Sequence, residues 1–551
     1  MHGLVFEVKS IQPFIFASGR LRDVIGGSEL IDLLTNEQSD SNLIDAVLQT
    51  SGTKHLIEFS RRAGGAFYAF SQDAAAIDRF AALWILAVQH WAPGLGFVLG
   101  RGVGANMPDA FAQAQADSRS QSSRERTQHP IPVPVAERAR RTGRVAVARD
   151  HKDGAIDAAI QRKKAFADPC RAGFINRYSP EEAQLNWRNW PRNLEQDAEA
   201  GDSFPFARGT RDLALIHADG NGLGQVLIKI GEAVRRSNGD FLKIYQTFSK
   251  AVEASTREGA KQATREVLLR VRQSGELLAA RPILLGGDDV IVLVRADLAL
   301  AYVQAFAGAF EKESQAQLKE LAKLCVAEMP DRLTLGFGIA FIGANQPFSM
   351  AVELAESIMV HAKLQAKSRS QDLRTTPSSL AFYRVTSAFI DDYDDTVRRE
   401  MTHHEVVEED GRPYTRRYIH TLGAYAVSGE QSCGLPQLAD LEKLVTQMQG
   451  DEMARGPLRG LLNLLQLDPP QARASWRRWR QLMRDKQSGA LSTFDANLRA
   501  LIPGCMSLAE ELPYAKDEAS GDYFSPLGDA LNLLAIKHTP LTEIQKLEAT
   551  A

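Results

Sequence analysis

Leu284-Leu285-Gly286-Gly287-Asp288-Asp289-Val290-Ile291-Val292-Leu293-Val294, the stretch LLGGDDVIVLV, decides how this chain is read. Two glycines and two adjacent aspartates separate two apolar runs. Pro282 to Leu285 leads in and Val290 to Val294 leads out, rich in β-branched residues, so the pattern predicts a buried β-hairpin. Side-by-side carboxylates at its tip repel each other and lose solvation, and a fold tolerates that when a cation neutralises them. Mg2+ is the natural candidate, because it takes hard oxygen ligands and leaves room for phosphate oxygens. The glycines serve both demands: glycine accepts φ > 0 in a turn and lets a phosphate approach the backbone.

A helical pattern, Phe241 to Val271, precedes the hairpin, and another, from Asp297 to about Cys325, follows it with Asp297 as N-cap. A strand, Leu333 to Ile342, comes next, then a helix from Pro347 to Lys367. In that helix Ala351, Leu354, Ala355, Ile358 and Ala362 share one apolar face. Upstream, the strand Leu213 to His217 ends in Ala218-Asp219-Gly220-Asn221-Gly222. If that strand lies beside the hairpin, Asp219 converges with Asp288 and Asp289. Such a cluster can hold two metal ions about 4 Å apart for in-line displacement at phosphorus. His217 reads as a packed strand residue rather than a base.

A second copy of the unit lies at the N-terminus. LGFVLGRGVGANMPDAFAQAQADS, from Leu95 to Ser118, aligns with LGFGIAFIGANQPFSMAVELAES, from Leu335 to Ser357, with one gap. Upstream of the first copy, EFSRRAGGAFYAF, from Glu58 to Phe70, occupies the place of the hairpin. Gly64 and Gly65 are kept, while Ala66 and Phe67 stand where the aspartates would be. The strand Gly3 to Val8 matches Leu213 to His217, which puts Lys9 or a neighbour in the place of Asp219. Only the second copy is therefore expected to carry catalytic carboxylates.

The 551 residues suggest three or four domains, and 44% hydrophobic with 24% charged residues is ordinary globular composition. A net charge of −3 excludes a global polyanion-binding charge, so any nucleic-acid contact must come from local patches. The four cysteines, Cys170, Cys325, Cys433 and Cys505, are far apart and form no CxxC pair, which argues against a disulfide framework and a zinc ribbon. No apolar run approaches the roughly 18 residues a membrane span needs. The N-terminus MHGLVFEVKS lacks a leader pattern, so a cytoplasmic protein without a membrane partner is expected. The chain divides into a first unit over 1–120, a connector over 121–205, a second unit over 206–390 and a helical C-terminal domain over 391–551. Residues 119–164 carry twelve Lys/Arg against five Asp/Glu and are interrupted by Pro130, Pro132 and Pro134. They read as a solvated connector, with a segment that follows an RNA backbone as the alternative. SWRRWRQLMR, Ser475 to Arg484, reads as a helix that docks Trp476, Trp479 and Met483 on a core and leaves arginines in water, with stacking on RNA as the alternative.

HADGNGLGQVL (217–227), LLGGDDVIVLV, LTLGFGIAF (333–341), AESIMVHAK (355–363) and SSLAFYRV (378–385) together resemble the second palm domain of the large polymerase-like subunit of type III CRISPR effectors. That domain is a relative of the GGDEF nucleotide cyclases. SIQPFIFASGRLRDVIGGSELIDLL, Ser10 to Leu34, resembles the start of the family's first palm. The resemblance implies an α+β fold with two ferredoxin-like palms that bind two ATP molecules between them. It further implies that they are joined into cyclic oligoadenylates with Mg2+ or Mn2+. Asp219, Asp288 and Asp289 match the family's metal ligands. Gly286 and Gly287 match the phosphate-side turn, and Gly220 and Asn221 are expected among the nucleotide-binding residues. Lys363 matches a lysine that faces phosphates, and Arg22 and Ser28 match a first-palm segment near the second nucleotide. Guide RNA, other effector subunits and an activating target RNA are the partners implied.

Three departures qualify this picture. Asn221 stands where the family often has a second aspartate. No HD nuclease domain precedes the first palm, so no DNase activity is expected. The zinc ribbon between the palms is reduced to Cys170 in DPCRAGFINRY, so no structural zinc is expected. Two other functions compete with a cyclic oligonucleotide synthase: a largely non-catalytic scaffold subunit of a CRISPR ribonucleoprotein, and a GGDEF-like cyclic dinucleotide synthase.

Overall fold

Two sheets built on one plan dominate the computed structural model, which describes residues 1–9, 11–36, 42–121, 133–167, 174–194, 203–237, 240–324, 329–370, 376–386, 392–409, 412–427, 434–486, 489–505 and 511–547. In the first, β1 (His2–Lys9), β2 (Glu58–Ala63), β3 (Ala66–Ser71) and β4 (Gly96–Val103) lie in the order β2-β3-β1-β4, all antiparallel. A short ribbon, β5 (Ala148–Asp150) with β6 (Gly154–Ile156), belongs to the connecting segment. In the second, β7 (Asp212–Gly220), β8 (Ala280–Gly286), β9 (Asp289–Arg295) and β10 (Leu335–Gly343) repeat the arrangement as β8-β9-β7-β10. There β11 (Ser379–Arg384) adds in parallel beside β10, and a two-residue strand, Tyr425–Ala426, closes that edge. Both units run strand, helices, hairpin, helix, strand, helix. They are the two ferredoxin-like palms of an α+β fold.

The local sequence explains the elements. Leu213 to Ala218 are buried on both faces of β7, which sits between β9 and β10 under helices. Helix Phe241–Ala263 starts on Asp240, whose carboxylate accepts from the Lys243 N–H, and runs on through one π turn, Thr264–Leu268. Asp297 is not an N-cap. It lies inside a 3-10 turn, Ala296–Leu298, and accepts from the Arg295 guanidinium at 2.7 Å. Helix Phe348–Arg369 crosses β10 so closely that a Cβ on Gly338 would lie 2.0 Å from the Ala355 carbonyl oxygen.

The registers make the repeat concrete. Gly96 pairs with Lys9, and Gly336 pairs with Asp219, so Lys9 occupies the place of Asp219. The hairpins differ more than an alignment of their glycines implies. In the first, both tip residues, Gly64 and Gly65, have φ > 0. In the second the tip is Gly287, at φ 65°, followed by Asp288 at negative φ. The Val8 N–H donates to the Gly65 carbonyl, whereas Ala218 lies opposite Val290. Gly65 therefore matches Val290 in height, not Asp288. Measured against its central strand, the first hairpin stops two residues short of the second. Ala66 and Phe67 are thus not the counterparts of Asp288 and Asp289.

The palms meet hairpin to hairpin. A Cβ on Gly64 would come 3.5 Å from the Gly286 carbonyl. Phe241 of the second palm packs on Phe70 and Phe111 of the first at ring separations of 5.8 and 5.7 Å, and Gln246 donates to the Phe59 carbonyl at 2.7 Å. The C-terminal part is mainly helical. Trp476 and Trp479 stack at 5.1 Å against Phe494, while Arg477 and Arg478 face water. It also contains a small sheet centred on the ribbon Thr402–Glu409 and Arg412–Ile419. Cys170, Cys325 and Cys433, with Pro130 and Pro132, lie outside the described residues. Among the described residues, no helix is long and apolar enough to cross a membrane.

Two glycines should respond oppositely to alanine. Gly338→Ala drives a methyl into the Ala355 carbonyl and should cost roughly 1–3 kcal/mol, as overpacking does. Gly308→Ala, at an exposed helical site with nothing within 4 Å, should stabilise by about 0.5–1 kcal/mol. Urea unfolding of both variants checks the pair.

Candidate active site between the palms

The strand end of β7 and the β8–β9 turn bring Asp219 and Asp288 together. A Cβ on Gly220 would sit 3.2 Å from the Asp288 Cβ, so the bare glycine eases the close approach of the turn to β7. Burial first, and the Asp219 charge second, push the Asp288 carboxyl up to about 6. Arg61, on β2 of the first palm, opposes that rise from across the interface. Its own guanidinium reaches the Tyr68 hydroxyl at 3.5 Å.

Asp219 has a counter-ion. Lys363, on helix Phe348–Arg369, donates to the Asp219 carboxylate at 2.5 Å and to the Gly220 carbonyl at 2.8 Å. Its stem passes directly over Gly336, where a Cβ would lie 2.2 Å from the lysine Cγ. Lys367, one turn on, is exposed. Asp289 turns the other way. Its carboxylate meets His217 Nε2 at 2.9 Å, and His217 is only 3% exposed. Burial pulls the imidazole down, but the Asp289 hydrogen bond and charge outweigh it and hold His217 above its usual value.

The three carboxylates expected to converge do not all point the same way. Asp219 and Asp288 face one another, while Asp289 is engaged by His217. Among the described residues no group of three or more His, Cys, Asp or Glu is arranged to hold a metal ion. The facing pair has the chemistry of a hard-cation site: oxygen donors whose mutual repulsion a divalent ion would relieve.

A cavity of about 670 Å³ opens at this pair. Asp219, Asp288 and Lys363 form its second-palm wall, and Tyr68, Phe111 and Arg119 its first-palm wall. A smaller pocket of about 150 Å³ continues past Tyr68 and Asp288 to Arg61 and Gly287. The Asn221 amide points away, donating to the Thr334 hydroxyl at 3.0 Å and the Pro377 carbonyl at 3.3 Å. An aspartate there would lose both bonds. Gly286 sits at the contact with Gly64. Ser28 is buried and donates to the Ile283 carbonyl, and Arg22 is exposed on the helix Leu21–Thr35. Neither lines the two cavities. Sequence reasoning missed Arg61 and Tyr68. Their one signal was position, on either side of the first-palm glycine turn.

Residues 212–371 match the family model described as Cas10/Cmr2, second palm domain. No curated protein sequence matches the chain. Among solved structures, Csm1 in T. onnurineus is similar at 14% identity and a TM-score of 0.44, over 98% of this chain and 70% of that one. A Csm1-Csm4 cassette in complex with cA4 gives 10% identity and a TM-score of 0.46 over 98% and 70%. The Csm1-Csm4 subcomplex of a type III-A CRISPR-Csm interference complex gives 12% identity and a TM-score of 0.46 over 99% and 70%.

The raised Asp288 carboxyl has a consequence for stability. Between pH 3.8 and about 6 the native state binds this proton more tightly than the unfolded chain does. The contribution of Asp288 to stability therefore falls as pH rises through that window, and its whole penalty is present above it. Asp288→Asn should stabilise the ligand-free protein at pH 7.5, by at most about 3 kcal/mol, and leave it unchanged below pH 4. Melting temperatures of both proteins across pH 4–8 check the sign.

Proposed function

We propose that the chain is a metal-dependent nucleotidyltransferase that joins ATP into cyclic oligoadenylate-type signalling molecules, in CRISPR-linked or related antiviral defence. The observation that carries the reading is the Asp219–Asp288 pair at the mouth of a cavity walled by both palms. The match of residues 212–371 to a Cas10/Cmr2 second palm supports it. A cavity of about 670 Å³ is of the size that holds a nucleotide-like ligand.

The residues take roles from their placement. Tyr68 and Phe111 offer ring surface to a base on the first-palm side. Lys363 has the reach to exchange its Asp219 contact for a phosphate oxygen. There it would neutralise charge that develops as pyrophosphate leaves, a contribution made mostly in the transition state. Mg2+ or Mn2+ held by Asp219 and Asp288, with Asp289 once released from His217, would supply charge neutralisation on the phosphates and acidify the attacking hydroxyl. Gly287 keeps the turn free of side-chain bulk where phosphates approach. Guide RNA, companion effector subunits and an activating target RNA belong to the same proposal.

A scaffold reading has one observation in its favour. Lys363 already balances Asp219 and His217 already engages Asp289, so two of the three carboxylates are compensated without a metal ion. Product analysis separates the readings. Incubation with Mg2+ or Mn2+ and each labelled NTP, with products resolved by mass, should give cyclic oligoadenylates from ATP. A cyclic dinucleotide would favour the GGDEF-like alternative, and no product from any NTP, with or without target RNA, would favour the scaffold.

Two variants grade the site. Asp288→Ala combined with Asp289→Ala should abolish turnover, and intact turnover would refute the assignment. Lys363→Ala should lower kcat roughly 10²-fold, as loss of an electrostatic stabiliser does, and Lys367→Ala should be milder. A steady-state comparison in which Lys367→Ala is the more damaging would show that the phosphate-facing lysine is misassigned.

A further inference from the structure

Strand β8 carries the turn that presents Asp288, and it is the outer strand of its sheet. One side of β8 pairs with β9. Among the described residues no strand pairs with the other side, so its polar groups need other partners. Side chains from three separate segments bond carbonyls of this strand and of its turn. The Ile283 carbonyl accepts from Ser28, on the first-palm helix Leu21–Thr35. The Leu284 carbonyl accepts from the Tyr178 hydroxyl at 2.6 Å, and the Leu285 carbonyl from the Arg177 guanidinium at 3.3 Å. Across the tip, the Gly287 carbonyl accepts from the Thr256 hydroxyl, whose hydrogen is shared with the Val252 carbonyl at 3.0 Å.

Arg177 and Tyr178 close a 3-10 turn, Phe174–Tyr178, in the connecting segment. This turn is wedged between the palms. Arg177 also pairs with Asp32 of the first-palm helix, and Tyr178 is fully buried with its ring 5.5 Å from Phe174. Thr256 is buried at 1% exposure on the helix that makes the palm interface. The hairpin is thus anchored at four carbonyls by groups outside it. A hydroxyl or a guanidinium can be removed from any of these positions without emptying the core.

We propose that Tyr178, Arg177 and Thr256 are positioning residues for Asp288, and that the connector turn Phe174–Tyr178 aligns the catalytic hairpin with Asp219 across the cavity. The proposal rests on the reading of Asp219 and Asp288 as the catalytic pair. Positioning is worth testing because a displacement of about 1 Å can cost 10²-fold in rate while binding survives.

Tyr178→Phe and Thr256→Val each delete one hydroxyl and keep the shape, and Thr256→Ser restores the donor. Two readouts are compared in the full-length protein: steady-state kinetics with ATP and Mn2+, and amide hydrogen exchange of the segment 283–290 without ligand. The expected result is roughly a tenfold lower kcat in Tyr178→Phe and Thr256→Val, with KM changed less than about twofold. Exchange should be faster in the hairpin alone, melting temperature nearly unchanged, and Thr256→Ser close to wild type. Unchanged kcat and hairpin exchange, beside an inactive Asp288→Asn, would overturn the positioning role and leave the catalytic reading standing. A uniform rise in exchange with a lowered melting temperature would also overturn it, since the hydroxyls would then serve only the fold. A wild type that makes no product would instead remove the reading on which the proposal rests.

Discussion

Repulsion between Asp219 and Asp288 is the constraint around which the second palm is arranged. The pairing of β7 with β9 brings the two carboxylates to the same sheet end, and the bare Gly220 eases the approach. Neighbouring groups contain the charge without cancelling it. Lys363 bonds Asp219, Arg61 acts on Asp288 from the other palm, and His217 draws Asp289 aside. What remains is a half-buried carboxyl raised to about 6 by burial and by the Asp219 charge, a perturbation of the kind that clusters at sites built to receive a cation or to move a proton.

The first palm repeats the topology without the charge. Lys9 lies where Asp219 would be, and the hairpin ends two residues lower, so its glycine turn becomes a surface for Gly286 to rest on. One copy of the unit thus presents the carboxylates and the other presents Tyr68, Phe111 and Arg61 as wall and counter-charge. Aspartates introduced at positions 66 and 67 would enter strand β3 rather than reach the tip.

Much of this was legible in the residues because hydrophobic period and turn chemistry agree there. The buried runs around Gly286 to Asp289, the alanine face of the helix after Pro347 and the LGF repeat all reported real elements. The height of the first hairpin was not legible. Matching GGAF to GGDD counts residues from the glycines, whereas strand pairing is set by β1, and only the register shows the two-residue difference. The fate of Asp289 was missed for a similar reason: a side chain's direction depends on its neighbour His217 across the strands, not on its own place in a motif. The ribbon Thr402–Glu409 and Arg412–Ile419 escaped notice because its residues are mostly half-buried or exposed and charged, so no apolar alternation marks it. Gly336 could have pointed to Lys363, since a glycine in a buried strand often marks a close approach.

The central claim is that Asp219 and Asp288 form a cation-dependent nucleotide site. Crystals of the protein grown with Mn2+ and a non-hydrolysable ATP analogue, measured at the manganese absorption edge, test it most directly. The account predicts an anomalous peak bonded to both carboxylates at about 2.1–2.2 Å, the analogue's phosphates beside it, and the Lys363 ammonium moved from Asp219 to a phosphate oxygen. A map with no peak at the pair, and Lys363 still bonded to Asp219 in the presence of saturating Mn2+ and analogue, would contradict it.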